Sequence, residues 1–493
     1  MEKTSKGLSP LHLTMMALGT VIGGSFFLGS SVAIQAAGPS IIFSYVIGGI
    51  LVYFILFALS ELTVANPDSG SFRTFAAHAF GPGTGFTVGW VYWTGMVLSM
   101  SSEATAVSIL IREWIPKASI SILGTTVIIG VTLLNLLGAD KLSKLESGLA
   151  AVKLLAISSF ILLGILLIIG LIPGTSKVGL GELTREPLMP NGLRGIAGSM
   201  LIVMFAYAGF EIIGLAASET GNPTKHIPKA ILYTVISLVG FYIISIIVLL
   251  PLVPTGMLNE NISPMVAALN MHGMGWAGSI MNFVLISAIL SSSLAAMFGI
   301  GRMIRSLAQE GHAPKWLKDN AEVPYRGIVF SGLAVLLGLG VGLLWPRVYL
   351  FLVSSGGFAL LFTYAVIMAT HIRLRKRNGC PPEGKCQMPG FPVTSWIALI
   401  SLIAIILSMP FIPGQGSGLI AGIVMTVSFI LIYIAVRFVF IKKENTLFIN
   451  AEEREHTKLR LSTEFSRELT EDIKKKKLKR QLHKEYKSHK RKD

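Results

Sequence analysis

Charge is scarce in this sequence. Of its 493 residues only 14% are Asp, Glu, Lys or Arg, while 52% are hydrophobic. A soluble chain of this length needs far more charge to cover its surface. Cysteine is scarcer still: Cys380 and Cys386 stand alone, spaced Cys-x5-Cys in a polar loop. Two cysteines make no disulfide framework, and without nearby histidines the spacing is a weak metal signal, so they read as reduced thiols. Catalytic constellations are missing as well. His78, His226, His272, His312 and His371 lie in or near loops without metal-ligand spacing. Neither a Ser–His–Asp arrangement nor a phosphate-binding loop is visible. The expectation is a protein that is not an enzyme and needs no cofactor or metal. No cleavable signal peptide is expected either, because residues 1–10 are short and polar and the apolar run after them is too long for a signal core.

What the sequence has instead is long apolar runs. Many exceed the ~20 residues that cross a bilayer. Twelve spans are expected, at about 12–37, 40–62, 84–112, 119–138, 147–173, 194–217, 229–253, 273–301, 327–345, 347–372, 393–413 and 417–441. The fold class is therefore all-α integral membrane. Polar, turn-rich segments separate spans two and three (66–71) and follow span six (219–228). If the N-terminus, the even-to-odd loops and the C-terminus share one side, that side holds 35 of the 42 Lys and Arg residues. An asymmetry of that size places both termini in the cytoplasm of a multi-pass plasma- or inner-membrane protein. Trp114, Trp276 and Trp345 fall near the outer ends of spans, where an aromatic belt belongs.

Span one is the unusual one. Its middle carries Gly19, Gly23, Gly24 and Gly29, with Thr20 and Ser25 among them. Glycine costs ~1 kcal/mol against Ala inside a helix. Freed backbone groups are tolerated at membrane depth only where they are buried in protein or line a cavity. Two readings follow: small residues that let helices pack closely, or an interrupted helix whose N–H groups grip an anion. Span six repeats the pattern in Phe205-Ala-Tyr-Ala-Gly-Phe-Glu-Ile-Ile-Gly214. Five spans separate the two, and 12–173 and 194–372 have similar lengths. Five is odd, so the second unit enters the membrane from the opposite face. Paired interrupted helices in inverted halves point to a transporter site.

Glu103, Lys153 and Glu211 are ionisable groups placed inside spans, away from their ends. Charges there are expensive and functional by default. An ammonium at Lys153 can take the place of a sodium ion at an unwound helix and load or release a proton. Alternatively it snorkels to the cytoplasmic surface. Glu211 either receives a proton or holds the break open by accepting N–H bonds. Glu103 either faces a substrate amine or pairs with another buried group, with structure the favoured role. Beyond span twelve, Leu461, Phe465, Leu469 and Ile473 recur every four residues, as in an amphipathic helix. From Lys474 to Asp493 there are 11 basic residues against two acids. This tail is either a tether to anionic lipid or a solvated segment that reinforces topology. Its charge alone, without aromatic or motif support, does not indicate nucleic acid.

Five stretches, in order, carry a family resemblance. They are Ala17-Leu-Gly-Thr-Val-Ile-Gly-Gly-Ser-Phe-Phe-Leu-Gly29; Ser69-Gly-Ser-Phe-Arg-Thr-Phe-Ala76 with Gly89-Trp-Val-Tyr-Trp93 and Glu103-Ala-Thr-Ala-Val107; Lys153-Leu-Leu-Ala-Ile157; Phe205-Ala-Tyr-Ala-Gly-Phe-Glu211 continued through Ala216–Ala230; and Arg302-Met-Ile-Arg-Ser-Leu-Ala-Gln-Glu-Gly-His-Ala-Pro314. Over about 8–441 the chain resembles bacterial amino-acid permeases of the amino acid–polyamine–organocation superfamily, in its amino-acid transporter branch. The resemblance implies a leucine-transporter-type 5+5 inverted repeat (12–173 and 194–372) plus two additional helices (393–441). Outside these lie a short N-terminus (1–11) and the tail (442–493). It implies an amino-acid substrate between spans one and six. The carboxylate would meet N–H groups at Gly23, Gly24 and Ser25. The α-amine would meet carbonyls near Ile22 and in the second break around Phe205, Ala206, Ala208 and Gly209, with Phe205 as an aromatic gate. Lys153 matches the lysine that replaces sodium in proton-linked relatives. The family pattern in span one is Gly-small-Gly, and Ser25 stands here in place of the second glycine. The expected activity is secondary transport, proton-coupled, by rocking of spans one, two, six and seven against a scaffold. Amino acid–amine exchange and nutrient sensing are the alternatives.

Overall fold

The computed structural model describes residues 9–65, 71–137, 139–211, 213, 223–319, 321, 323–379 and 388–441. Every regular element among them is helical. The predicted first span arrives in three pieces: α1 (Pro10–Val21), α2 (Gly24–Phe27) and α3 (Gly29–Ala37). Then follow α4 (Ile41–Ala65), α5 (Ser71–Phe80), α6 (Pro82–Ile111), α7 (Ile120–Asn135), α8 (Ala139–Ile169) and α9 (Gly192–Ala206). The rest are α10 (Pro223–Leu249), α11 (Pro264–Met271), α12 (Gly275–Gln309), α13 (Tyr325–Gly342), α14 (Val348–Asn378), α15 (Val393–Ser408) and α16 (Gly416–Ile441). Among the described residues, nine helical stretches are long and apolar enough to cross a membrane, and α7 and α9 are shorter apolar helices. The chain divides into two compact units, 1–430 and 431–493. The described part of the second is the end of α16. The 66–70 segment, Cys380, Cys386 and the basic tail lie outside the described residues.

Within the first unit, burial separates core from periphery. The apolar window of α14 is 83% buried, whereas that of Val393–Phe411 is only 28% buried despite a mean hydropathy of 2.1. An apolar helix left that open suits hydrocarbon, not water. α14 and α6 form the most closely packed pair. A Cβ on Gly95 of α6 would lie 2.5 Å from the Cβ of Ala359 on α14. Small residues let these two backbones approach as membrane helices do when van der Waals packing drives association. α6 itself starts sharply: Gly81 at φ 100° turns the chain and Pro82 opens the first helical turn.

Two polar knots, each built on a buried charge, tie helix ends together. Arg73 of α5 is 1% exposed and pairs with Glu310 while donating to Ser306 Oγ at 3.1 Å. A Cβ on Gly89 would lie 2.6 Å from Arg73 Cδ, so that glycine makes room for the arginine. At the end of α4, Glu61 accepts from Arg375 Nη1 at 3.1 Å and from the Met388 N–H at 2.6 Å, and lies 2.7 Å from His371 Nε2. Burying these charges without such partners would be costly.

The α6–α14 contact makes a prediction. Gly95→Val places two methyl groups where Ala359 already sits and should destabilise the protein by roughly 1–3 kcal/mol, the usual cost of overpacking. Thermal unfolding in detergent measures it; a melting temperature equal to the parent's would mean that the helices can separate freely.

Candidate functional site

The break in span one can be followed bond by bond. The helical ladder runs to the Ile22 N–H on Leu18 O at 3.2 Å. It resumes with the Phe26 and Phe27 N–H groups, both on Gly23 O, at 3.1 and 3.2 Å. Gly23 is extended, with φ −145° and ψ −159°. The N–H groups of Gly23, Gly24 and Ser25 therefore fall outside the ladder, as do carbonyls that would have received them. Buried backbone groups of this kind need partners. The break is narrower than the glycine pattern suggests: Gly19 and Gly29 are helical. A Cβ on Gly29 would lie 3.1 Å from Tyr349 Oη, so that glycine serves close packing.

Lys153 supplies the missing donors. It lies on α8, is fully buried, and its Nζ donates to Gly19 O at 2.6 Å, Ile22 O at 3.1 Å and Ser292 Oγ at 3.2 Å. Ser292 of α12 also donates to Ile22 O at 2.9 Å. The ammonium thus points into the protein, and the snorkelling alternative does not describe it. The freed amides meet Glu103 of α6. Its carboxylate accepts the Gly24 N–H and, at 2.6 Å, the Ser293 hydroxyl. A Cβ on Gly23 would lie 2.9 Å from Glu103 Oε1 and 3.0 Å from Ser292 Oγ, so a larger residue there would press on both side chains. Ser25 is buried one residue further on.

Span six breaks in a matching way. α9 ends at Ala206, earlier than the predicted span, and the Ala208 N–H tightens to Phe205 O at 3.1 Å. Gly209 has φ 105°, a left-handed conformation that favours glycine. Its N–H donates to Glu211 Oε2 at 3.1 Å. Two tyrosines complete the acid's shell: Tyr92 Oη donates to Oε1 at 2.8 Å and Tyr364 Oη to Oε2 at 3.1 Å. The carbonyl of Ala206 accepts Tyr242 Oη at 2.9 Å. The two breaks touch, since a Cβ on Gly209 would lie 3.4 Å from Thr20 Cγ2. Phe205 is buried, with its ring facing Gly356 of α14.

The structure thus brings together the residues singled out from the sequence. Ile22, Gly23, Gly24, Lys153 and Glu103 meet at the first break, and Phe205, Ala206, Ala208, Gly209 and Glu211 line the second. It adds Ser292, Ser293, Tyr242 and Tyr364, and it gives a partner to Tyr92, which the sequence marks only as part of a family stretch. A further set surrounds Phe26, whose ring stacks on Tyr242 at 3.9 Å and meets Tyr45 edge-on at 6.2 Å. Tyr207 packs against both tyrosines, at 6.0 and 5.2 Å.

Comparison with known proteins fits this geometry. The family model for amino acid permeases matches residues 12–449. The chain belongs to the amino acid permease family. The chain is 34% identical to the γ-aminobutyric acid permease of Bacillus subtilis over 434 residues, covering 85% of this chain and 92% of that protein. It is also 34% identical to the amino-acid permease AapA of B. subtilis, covering 83% and 90% of the two. The γ-aminobutyric acid permease of Escherichia coli is again 34% identical, covering 85% and 93%. Among solved structures, a crystal structure of the Eremococcus coleocola manganese transporter with an aromatic bis-isothiourea compound shares the fold, with a TM-score of 0.53 at 15% identity, over 88% of this chain and 93% of that one. This permease is a multi-pass membrane protein and a transporter by family, not an enzyme.

Removing the Lys153 donors tests the network. Lys153→Met keeps the buried stem but leaves the carbonyls of Gly19 and Ile22 with fewer donors. Unsatisfied buried groups cost roughly 1–3 kcal/mol each, so the variant should unfold at a clearly lower temperature. Parental melting behaviour would show that the ammonium does not hold the break.

Proposed function

We propose that the chain is a secondary active amino-acid transporter that takes up its substrate with protons by alternating access. The observation that carries this reading is the Lys153 ammonium on Gly19 O and Ile22 O, at the interruption of span one. A fixed cation there does structurally what a bound metal ion does, and it can exchange a proton, so the coupling ion need not be sodium. Lys153 and Glu211 are the groups we assign to proton coupling. We assign the substrate's carboxylate to the N–H groups of Gly23, Gly24 and Ser25. Its amine goes to carbonyls at Ile22 and around Phe205, Ala206, Ala208 and Gly209.

The moving parts follow from how the rings pack. Phe26, Tyr45, Tyr207 and Tyr242 belong to the predicted spans one, two, six and seven and form one aromatic cluster. Such a cluster suits a body that moves as a unit. We read it as the rocking bundle of a twelve-span, 5+5 inverted repeat with both termini in the cytoplasm. Relatives named for γ-aminobutyric acid and relatives named for amino acids in general are equally similar. The substrate class is therefore amino acids, including those with the amine remote from the carboxylate.

Reconstituted vesicles decide the matter. Uptake of a radiolabelled amino acid should rise several-fold when the outside is acidified, and Lys153→Met should lose that response. Strict sodium dependence, or uptake indifferent to both gradients, overturns the coupling. Trans-stimulation by preloaded amine would identify an exchanger instead.

A further inference from the structure

The Glu103 carboxylate lies where a substrate carboxylate is expected. It accepts the Gly24 N–H, and its Oε1 is so close to Gly23 that a Cβ there would be 2.9 Å away. Its Oε2 is held separately by the Ser293 hydroxyl at 2.6 Å. Glu103 remains partly exposed, unlike Lys153, so it borders open space rather than being packed on all sides. Freed amides at membrane depth need an acceptor at every moment of the cycle, including when no ligand is bound. Two carboxylates cannot both be held by the same short run of amides, because like charges at that distance repel.

We propose that the Glu103 carboxylate is a tethered stand-in for the substrate's carboxylate, occupying the amides of the interrupted first span in the empty transporter and yielding them when substrate enters. The proposal rests on the carboxylate-binding role given above to Gly23, Gly24 and Ser25. Ser293 retains Oε2, so the displaced acid swings about one held oxygen. The arrangement sets specificity. A ligand must bring a group that competes with a carboxylate already in place, and an anionic carboxylate does so where an ester does not. It also lowers affinity, because only the fraction of molecules with Glu103 displaced can bind.

The test uses full-length protein. Uptake into vesicles is first measured for a panel of the twenty amino acids and γ-aminobutyric acid. Equilibrium binding of the best-transported member, and of its methyl ester, is then measured for wild type, Glu103→Ala and Glu103→Gln. The amino acid should bind roughly tenfold tighter to Glu103→Ala, with a smaller gain in Glu103→Gln, which keeps the bulk and loses the charge. The ester should change by less than about twofold in either variant. Amino-acid binding that is unchanged or weaker in both variants overturns the proposal, and so does an ester that gains as much as the acid. Wild-type protein that takes up no member of the panel overturns the transport reading and this proposal with it. Uptake without the gain in affinity overturns this proposal alone.

Discussion

The first span is held by a single physical demand: backbone groups freed inside an apolar layer must find partners within the protein. Breaking a helix between Val21 and Gly24 releases carbonyls on one side and amides on the other. The two sets are answered from different helices. Lys153 on α8 and Ser292 on α12 take the carbonyls, and Glu103 on α6 takes the Gly24 amide. A cation on the carbonyl side and an anion on the amide side match the dipole that the unwound turn exposes. Remove Lys153, and the carbonyls of Gly19 and Ile22 lose a donor that nothing else in span one replaces. The break is thus a property of five helices, α6, α8 and α12 as well as α1 and α2.

The joins between elements are of two chemical kinds. Phe26, Tyr45, Tyr207 and Tyr242 meet through ring faces and edges, with Tyr242 also donating to Ala206 O and Tyr207 to Tyr45 O. Close-packed rings have no alternative arrangement of similar energy nearby, so they move together or not at all. Around that cluster the joins are mixed: Phe210 stacks on Tyr364 of α14 at 5.0 Å, and beside it lie hydrogen bonds to Lys153 and Glu211. Hydrogen bonds to hydroxyls and carboxylates can be exchanged for others of similar strength.

How much of this was legible beforehand depends on the residue. The paired glycine-rich interruptions and the buried ionisable groups at 103, 153 and 211 stand out because each violates what a membrane helix prefers, and violations are visible in one dimension. Lys153 left two readings, and only its direction in space, into the break and away from the surface, separates them. The partners were not legible. Ser292, Ser293, Tyr92 and Tyr364 are ordinary residues in apolar helices, and a hydroxyl announces nothing until an acid is found opposite it. The Glu61 knot was hidden for a related reason: Glu61 and His371 are 310 residues apart, and each alone resembles a polar helix end. The glycines divide between the two readings: Gly23 and Gly24 stand at the break, while Gly19 and Gly29 lie within helices, Gly29 at a close contact.

The two membrane acids differ in how firmly they are held, and that difference assigns them different work. An ionised carboxylate offers about four acceptor sites. Glu211 fills three of them, with Tyr92, Tyr364 and the Gly209 N–H, and the tyrosines come from two other helices. Displacing it would orphan several buried groups at once. A proton arriving on Glu211 adds a donor where only acceptors served, so one tyrosine must turn away, which loosens the second break from α6 or α14. Glu103 has a single hydroxyl and a single amide, on two different helices, with the Lys153 charge nearby, and it touches open space. Moving it orphans one amide, which an incoming carboxylate satisfies at once. Glu211 is therefore the more firmly fixed of the two acids, and Glu103 the one more easily displaced.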